Sequence, residues 1–167
     1  DVYKRQHLTS MHSMDNYYVS KLLPLIAEAQ IHCVPNPVAN IVLQGRHDTY
    51  PKRRGMMRVP ELWALGVNVA FGQDSCMDPW YSMGNADMLD VAHMAVHTGH
   101  LTSRDAVTRC FDAVTHAGAS AFGLESYGAG KRLQCRSCHP GCGGRHRGGA
   151  SSQPATACLP AGQADQP

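Results

Sequence analysis

The segment FGQDSCMDPWYSMG (71–84) places a carboxylate and an aromatic side chain directly after an apolar run. Asp74 follows the run VNVAFG (67–72) by two residues, and Asp78 and Trp80 come shortly afterwards. An acid at the end of a buried strand is typical of the catalytic face of α/β enzymes, where it can bind a cation or accept a proton. From spacing alone, the alternative is that Asp74 or Asp78 caps a helix or a turn.

The elements around this segment alternate between strands and helices. Short apolar runs predict strands, and longer runs with apolar groups at helical spacing predict helices. The predicted strands are 31–37 and 67–72, the predicted helices are 14–30, 59–66, 86–101 and 103–124, and a polar, basic loop covers 43–55. This βα alternation predicts an α/β protein with a parallel sheet that has too few strands to close a barrel.

Two of the predicted helices have recognisable details. In the first helix, Pro24 predicts a kink or a late start, and Ser103 is a natural N-cap for the last helix. The apolar residues at helical spacing in the first helix, which we expect to face the core, are Tyr18, Leu22, Leu25, Ile26 and Ala29.

Composition and charge are those of a globular protein. Of the 167 residues, 43% are hydrophobic and 17% charged. The formal net charge is +2, but residues 1–130 contain ten Lys/Arg and twelve Asp/Glu, so the main part is slightly acidic. This argues against a nucleic-acid-binding surface there. No apolar run reaches membrane-spanning length, and DVYKRQ lacks the apolar core of a signal peptide, so we expect a soluble, cytoplasmic protein.

Cysteine and histidine form two patterns that could bind metal. CRSCHPGC (135–142) contains C-x-x-C-H, which could belong to a zinc-binding module or a haem attachment site, although a second paired set is missing. His93, His97 and His100 share one helical face, but a structural role is favoured. Cys33, Cys76 and Cys110 lie in apolar surroundings, which predicts buried free thiols. These cysteines and histidines therefore do not predict a metal site with a complete set of ligands.

Three longer segments resemble a known family. HLTSMHS, NIVLQGRHDTYPKRRG and FGQDSCMDPWYSMGNADMLDVAHM are similar to consecutive segments of bacterial cytosine deaminase, of the amidohydrolase superfamily, over residues 7–130. The resemblance implies the last part of a distorted (β/α)8 TIM-like barrel, from the end of strand six through strand eight. It also implies one divalent metal, Fe²⁺ or Zn²⁺, a pyrimidine substrate, a homo-oligomeric intact enzyme and hydrolysis of cytosine to uracil and ammonia.

The same resemblance implies roles for four residues of this sequence. Asp74 matches the metal-binding aspartate after strand eight, which also moves a proton. His7 matches the histidine that orients the attacking hydroxide and stabilises the tetrahedral intermediate. Trp80 matches the aromatic wall of the pyrimidine pocket, and Ser75 lies where some members have an aspartate beside the substrate amino group. The other family ligands and the proton-transferring glutamate match no residue here, so we expect the chain alone to be inactive. Isocytosine and creatinine remain alternative substrates.

The two ends of the chain depart from the family pattern. DVYKRQ (1–6) matches nothing in the family and is interpreted as foreign sequence. From Lys131 onward the chain lacks Val, Ile, Met and aromatic residues, which predicts a disordered tail over 131–167. With suitable synonymous codons, a one-base shift turns 131–141 into Ser-Asp-Cys-Asn-Ala-Asp-Leu-Val-Ile-Leu, which resembles the family continuation. We therefore interpret the tail as a frame-shifted translation.

Overall fold

The computed structural model describes residues 3–53, 55–125 and 127–128. Residues 1–123 form one compact unit, and a second unit begins at residue 124, of which only 124–125 and 127–128 are described. The predicted frame-shifted tail lies outside the described residues. Among the described residues, no helix combines the length and apolarity needed to cross a bilayer.

The first unit contains a small parallel sheet. Strand β1 (Lys4–Gln6) pairs with β2 (His32–Val34), with Gln6 opposite Val34. Val69 forms a parallel bridge to Cys33 on β2, so β2 lies between β1 and the segment 67–72. The α/β class is confirmed, and β1 falls within the predicted foreign segment 1–6.

The segment 67–72 follows β2 as the sequence predicted, but as an irregular strand with a single bridge. Its backbone is nevertheless tied to β2: the Cys33 amide donates to the Asn68 carbonyl at 2.9 Å, and the Gly72 amide donates to the Pro35 carbonyl at 3.0 Å. This pairing brings the carboxyl end of 67–72 beside the carboxyl end of β2.

The first predicted helix is observed as α1 (Asn16–Glu28), preceded by a 3-10 helix over Thr9–Ser13. Asp15 caps α1 by accepting from the Tyr18 amide at 2.8 Å, and Pro24 lies within the helix. The predicted buried face was partly wrong, since Tyr18 and Leu25 are more than half exposed. The α1 side chains that enter the core are Val19, Leu23 and Ile26.

Helix α2 (Pro37–Leu43) was missed by the sequence analysis, which assigned the two prolines to the end of a strand. Pro37 occupies the first turn, where its fixed φ and missing N–H suit a helix start. Helix α2 therefore follows β2 almost directly and lies at the carboxyl edge of the sheet.

The remaining helices are α3 (Val59–Ala64), α4 (Met88–Thr98), α5 (Arg104–Ala113) and α6 (His116–Ala121). Ser103 caps α5 as predicted, accepting from the Ala106 amide. The single predicted helix over 103–124 is observed as two helices, α5 and α6, and at the break the Ala113 carbonyl accepts from the Phe71 amide at 2.9 Å.

The core lies between the sheet and these helices. Trp63 of α3 packs against Phe71, with ring centroids 6.3 Å apart, and the Arg109 guanidinium lies 4.5 Å from the centre of the Trp63 ring. Hydrophobic side chains with no measurable exposure come from the 3-10 helix, the sheet and three helices: Met11, Cys33, Ala39, Val59, Leu62, Val91 and Ala95. This packing fixes the sheet whose carboxyl edge carries the predicted site.

Candidate functional site

Polar residues follow each of the three sheet segments at the same edge. His7 comes directly after β1, Asn36 follows β2 by two residues, and Asp74 follows the segment 67–72 by two residues. Because the segments are parallel, their carboxyl ends meet at one edge, the usual location of active sites in α/β enzymes. The fold therefore brings the two principal predicted residues to the same face.

His7 and Asp74 share an unusual backbone conformation. Both have positive φ, 64° for His7 and 72° for Asp74, and Leu8 after His7 also has φ 52°. Few non-glycine residues adopt this left-handed region, although His and Asp are among those enriched there. Such conformations cost about 1 kcal/mol or more and are often retained at functional sites. The turn at each residue ends its strand abruptly at the edge.

The His7 ring is held by two asparagines of the α2 segment. Asn40 Nδ2 lies 2.9 Å from His7 Nδ1, and Asn36 Nδ2 lies 3.2 Å from the same atom. The His7 backbone amide also donates to the Val34 carbonyl at 2.9 Å, which continues the β1–β2 pairing. Ring and backbone of His7 are thus both tied to β2 and the helix that follows it.

Both asparagines are only 3% exposed and were missed by the sequence analysis. Asn40 Oδ1 accepts from the Asn36 backbone amide at 3.1 Å. Behind them, Gly55 approaches so closely that a Cβ there would lie 2.4 Å from the Asn40 carbonyl oxygen. The available signal was N-P-V-A-N after a strand, which puts two amides one helical turn apart if Pro37 begins a helix.

Asp74 and Ser75 have contrasting environments. The Asp74 side chain is exposed and makes no hydrogen bond or ion pair with any described residue, whereas Ser75 is 5% exposed. Next to them, Gln73 Oε1 is buried without a hydrogen-bond partner among the described residues. The Asp74 carboxylate is therefore available to a ligand.

Asp78 is a turn cap. Its Oδ1 accepts from the Trp80 and Tyr81 amides, each at 2.9 Å. These bonds, chiefly that from Tyr81, lower the pKa of the Asp78 carboxyl. The structure thus gives Asp78 the capping role that was one alternative, and it shows no cap at Asp74. The Trp80 side chain is 65% exposed. The structure shows no ring contact between Trp80 and another predicted site residue.

Of the two possible metal-binding patterns, the histidines of α4 lie within the described residues and the Cys-rich segment does not. His93 and His97 lie on the exposed face of α4 with ring centroids 4.4 Å apart, and no group of three potential metal ligands occurs among the described residues. The Cys-rich pattern at 135–142 lies outside those residues. Of the cysteines in the described residues, Cys33 and Cys110 are buried as predicted, but the prediction for Cys76 was wrong, since this thiol is exposed.

Residues 1–131 match the amidohydrolase family. The chain belongs to that family. A pterin deaminase from Rhizobium rhizogenes is 35% identical over 96 residues, which are 57% of this chain and 22% of that protein.

Solved structures give the same result for this amidohydrolase. The 5-methylcytosine deaminase from Klebsiella pneumoniae is similar in its 5-fluorocytosine complex (42% identity, TM-score 0.71, 74% of this chain and 30% of that chain). Its phosphonocytosine complex gives 41% identity, TM-score 0.74, 78% of this chain and 32% of that chain. N-isopropylammelide isopropylaminohydrolase from Burkholderia multivorans (24% identity, TM-score 0.61, 75% and 29% coverage) shares the fold. The predicted resemblance to a superfamily deaminase is confirmed.

This amidohydrolase chain spans between 22% and 32% of the length of these relatives. Deaminases of the family are metal-dependent. Asp74 suits one position of such a site, since its carboxylate is exposed and makes no bond to a described residue. The described residues provide no three-ligand cluster, so they do not complete a metal site by themselves.

Proposed function

We propose that this chain forms the catalytic edge of a metal-dependent deaminase that converts cytosine and water to uracil and ammonia. In this proposal β1, β2 and 67–72 correspond to the last three strands of an eight-stranded barrel. The supporting observation is that the family match covers the same residues that place His7 and Asp74 after parallel, adjacent strands. Catalytic groups of barrel enzymes come from the carboxyl ends of several strands.

Asp74 is proposed as one metal ligand and as a proton carrier. Its carboxylate is exposed at the edge, and the left-handed turn at φ 72° sets it apart from the strand that precedes it. A divalent ion, when bound, supplies an activated water for attack on the ring carbon that bears the amino group. The remaining ligands would come from the part of the relatives' length that this chain does not match.

His7 is proposed to contact the reacting oxygen from the neighbouring strand. Its ring is held by Asn36 and Asn40, so it can present one defined atom to the site. A preorganised donor of this kind stabilises charge that develops on oxygen during attack. Loss of the ring would therefore affect turnover more than substrate affinity.

Ser75 and Trp80 are proposed to select the ring. Ser75 is buried at the turn beside Asp74, and the exposed Trp80 indole follows a turn capped by Asp78, so its surface can cover a flat heterocycle. A serine hydroxyl can both donate and accept, whereas an aspartate at that position would only accept. This position therefore decides between rings that bear the amino group at different carbons.

The substrate class is supported by two kinds of relative. The solved deaminases act on 5-methylcytosine, and the curated relative acts on pterin, whose pyrimidine ring also bears an amino group beside a ring nitrogen. Cytosine is the first candidate, and the alternatives are isocytosine and creatinine, which present a similar amidine. The zinc-module alternative concerns 135–142, outside the described residues, and no structural observation favours it.

The test is a substrate comparison in a full-length family member that carries residues 7–125 of this sequence. Ammonia release should be fastest from cytosine or 5-methylcytosine and slower from isocytosine, pterin and creatinine. A His7→Gln variant is the matched control, because it should lose turnover and retain metal. If no amidine ring releases ammonia, the proposal is wrong. If isocytosine or pterin releases ammonia faster than cytosine, that ring and not cytosine is the preferred substrate.

A further inference from the structure

We propose that Asn36 and Asn40 are positioning residues that hold His7 in a single tautomer, with its proton on Nε2 and its lone pair on Nδ1. The juxtaposition that supports this is two buried amide groups, Asn36 at the N-cap of α2 and Asn40 one turn further on, both within 3.2 Å of one ring nitrogen. The tautomer itself follows from the hydrogen bonds of this chain; its catalytic consequence rests on the proposed function.

The orientation of the Asn40 amide is set by its second contact. Asn40 Oδ1 accepts from the Asn36 backbone N–H at 3.1 Å, and a backbone N–H cannot bond to an amide NH₂. The oxygen is therefore directed at the Asn36 backbone, and the NH₂ group is directed at His7 Nδ1, 2.9 Å away. Since an NH₂ group can only donate, Nδ1 must be the acceptor.

The Asn36 amide supports the same assignment from the other side. Its Nδ2 lies 3.2 Å from His7 Nδ1, and its Oδ1 is directed at Gly72, where a Cβ would lie only 2.3 Å away. Gly72 thus leaves room for that oxygen and so allows the amide to place its NH₂ on His7. A proton on Nδ1 would meet two N–H donors and no acceptor.

The ring proton of neutral His7 is therefore on Nε2, which can donate a hydrogen bond but cannot accept one. A histidine that binds a metal through Nε2, or accepts a proton there, must carry its own proton on Nδ1, which this arrangement disfavours. The geometry assigns His7 to donation toward an oxygen of substrate or nucleophile. It also excludes His7 from the ligands of the proposed metal in this arrangement.

A second asparagine–histidine contact, between Asn68 and His32, lies at the opposite edge of the sheet and provides a matched control for Asn40 and His7. Asn68 Nδ2 lies 2.6 Å from His32 Nδ1 and 3.0 Å from the Ala117 carbonyl oxygen, so this amide also presents NH₂ to a ring nitrogen. His32 begins β2, whereas His7 follows the end of β1. A substitution at Asn68 therefore changes a comparable contact without reaching the His7 edge.

The first experiment is NMR of the full chain with ¹³C,¹⁵N-labelled histidine, with the His7 signals assigned from a His7→Gln variant. We expect the wild-type His7 signals of the Nε2–H tautomer. Asn40→Asp keeps the size and the acceptor for the Asn36 amide but replaces the donor with a carboxylate oxygen, so a proton should appear on Nδ1. Asn68→Asp should leave the His7 signals unchanged. Nδ1–H in the wild-type chain would overturn the proposal even if the Asn40 variant does not fold.

The second experiment is kinetic, in a full-length family member with the same two asparagines. Asn40→Asp should lower kcat by about a hundredfold or more, because a wrong tautomer at a catalytic histidine costs at least that, while KM and metal content change little. An unchanged kcat would overturn the positioning role. If wild-type enzyme deaminates no amidine ring but His7 still shows the Nε2–H tautomer, the proposed function fails and the tautomer assignment is upheld.

Discussion

Gly72 and Asn36 lie so close together that a methyl group on Gly72 would come within 2.3 Å of Asn36 Oδ1. The two residues end neighbouring segments of the sheet, and the Gly72 amide donates to the Pro35 carbonyl at 3.0 Å. Asn36 in turn contacts His7 at 3.2 Å. The absence of a side chain at Gly72 is thus part of the support of the His7 ring.

Gly72→Ala should destabilise the chain by about 1–3 kcal/mol, because the added methyl overpacks a site whose neighbour is fixed by other bonds. Urea unfolding measures the change. Gly118→Ala is the matched control: a Cβ at Gly118 meets nothing within 4 Å, and the residue lies inside α6, so alanine there should stabilise by up to about 1 kcal/mol. Equal effects of the two substitutions would contradict the close approach at Gly72.

In a full-length family member that carries the same motifs, Asp74→Ala should abolish turnover and remove bound metal. Asp78→Ala should mainly weaken the turn, because its carboxylate caps the Trp80 and Tyr81 amides. Trp80→Ala should raise KM and leave metal in place. Metal content and kinetics of all three variants decide between the carboxylates: loss of metal in Asp78→Ala together with retention in Asp74→Ala would show that the roles are reversed.

The chain by itself should release no ammonia from cytosine when Fe²⁺ or Zn²⁺ is added. The described residues offer one candidate ligand, Asp74, and no cluster of three, whereas a catalytic metal of this kind takes at least three protein ligands. An ammonia assay across both metals measures this. The control is the same assay with the full-length family member, and metal-dependent release by the chain alone would contradict our mapping of the ligands.

The turn at Asp78 should respond to acid. The Tyr81 and Trp80 amides favour the charged carboxylate and hold the pKa of Asp78 below 3.8. A carboxyl with a lowered folded-state pKa contributes stability that is present above pH 3.8 and lost as pH falls through the folded value. The Tyr81 and Trp80 amide NMR signals should therefore shift with a titration midpoint below pH 3.8. Asp78→Asn, which keeps the acceptor without the charge, should remove that shift; a midpoint above pH 3.8 in the wild-type chain would refute it.

The sequence predicted the elements that have strong local signals. Ser103 caps a helix as its residue type predicted, and the edge position of His7 and Asp74 followed from the alternation of strands and helices and from resemblance. These features depend on periodicity and capping, which are local properties of the chain.

The features that were missed depend on contacts between distant parts of the chain. The break between α5 and α6 lies where the Ala113 carbonyl accepts from the amide of Phe71, a residue 42 positions earlier in the chain. Asn36 fell within the predicted strand 31–37 and Asn40 within no predicted element, and only the fold shows that they meet His7. Cys76 was expected to be buried because its neighbours are apolar, but it is exposed in the fold.

The three described cysteines should differ sharply in reactivity. Cys33 and Cys110 are at most 1% exposed, and burial raises the pKa of each thiol to about 11, whereas Cys76 is exposed. Because only the thiolate reacts, iodoacetamide at pH 8 should alkylate Cys76 and leave the other two intact, as measured by peptide mapping of the native chain. Alkylation of Cys33 or Cys110 at the rate of Cys76 would contradict the packing.

The raised pKa values of the Cys33 and Cys110 thiols predict that the folded chain loses stability at alkaline pH. Between pH 9 and pH 11 the unfolded chain loses the protons of Cys33 and Cys110 while the folded chain keeps them, so the free energy of unfolding should fall as pH rises through this range. Urea unfolding at several pH values gives the slope. Cys33→Ala lowers the absolute stability by leaving a cavity, but its slope should be shallower than that of the wild-type chain because one raised pKa is gone. A Cys33→Ala slope as steep as wild type would show that this buried thiol does not contribute to the alkaline loss.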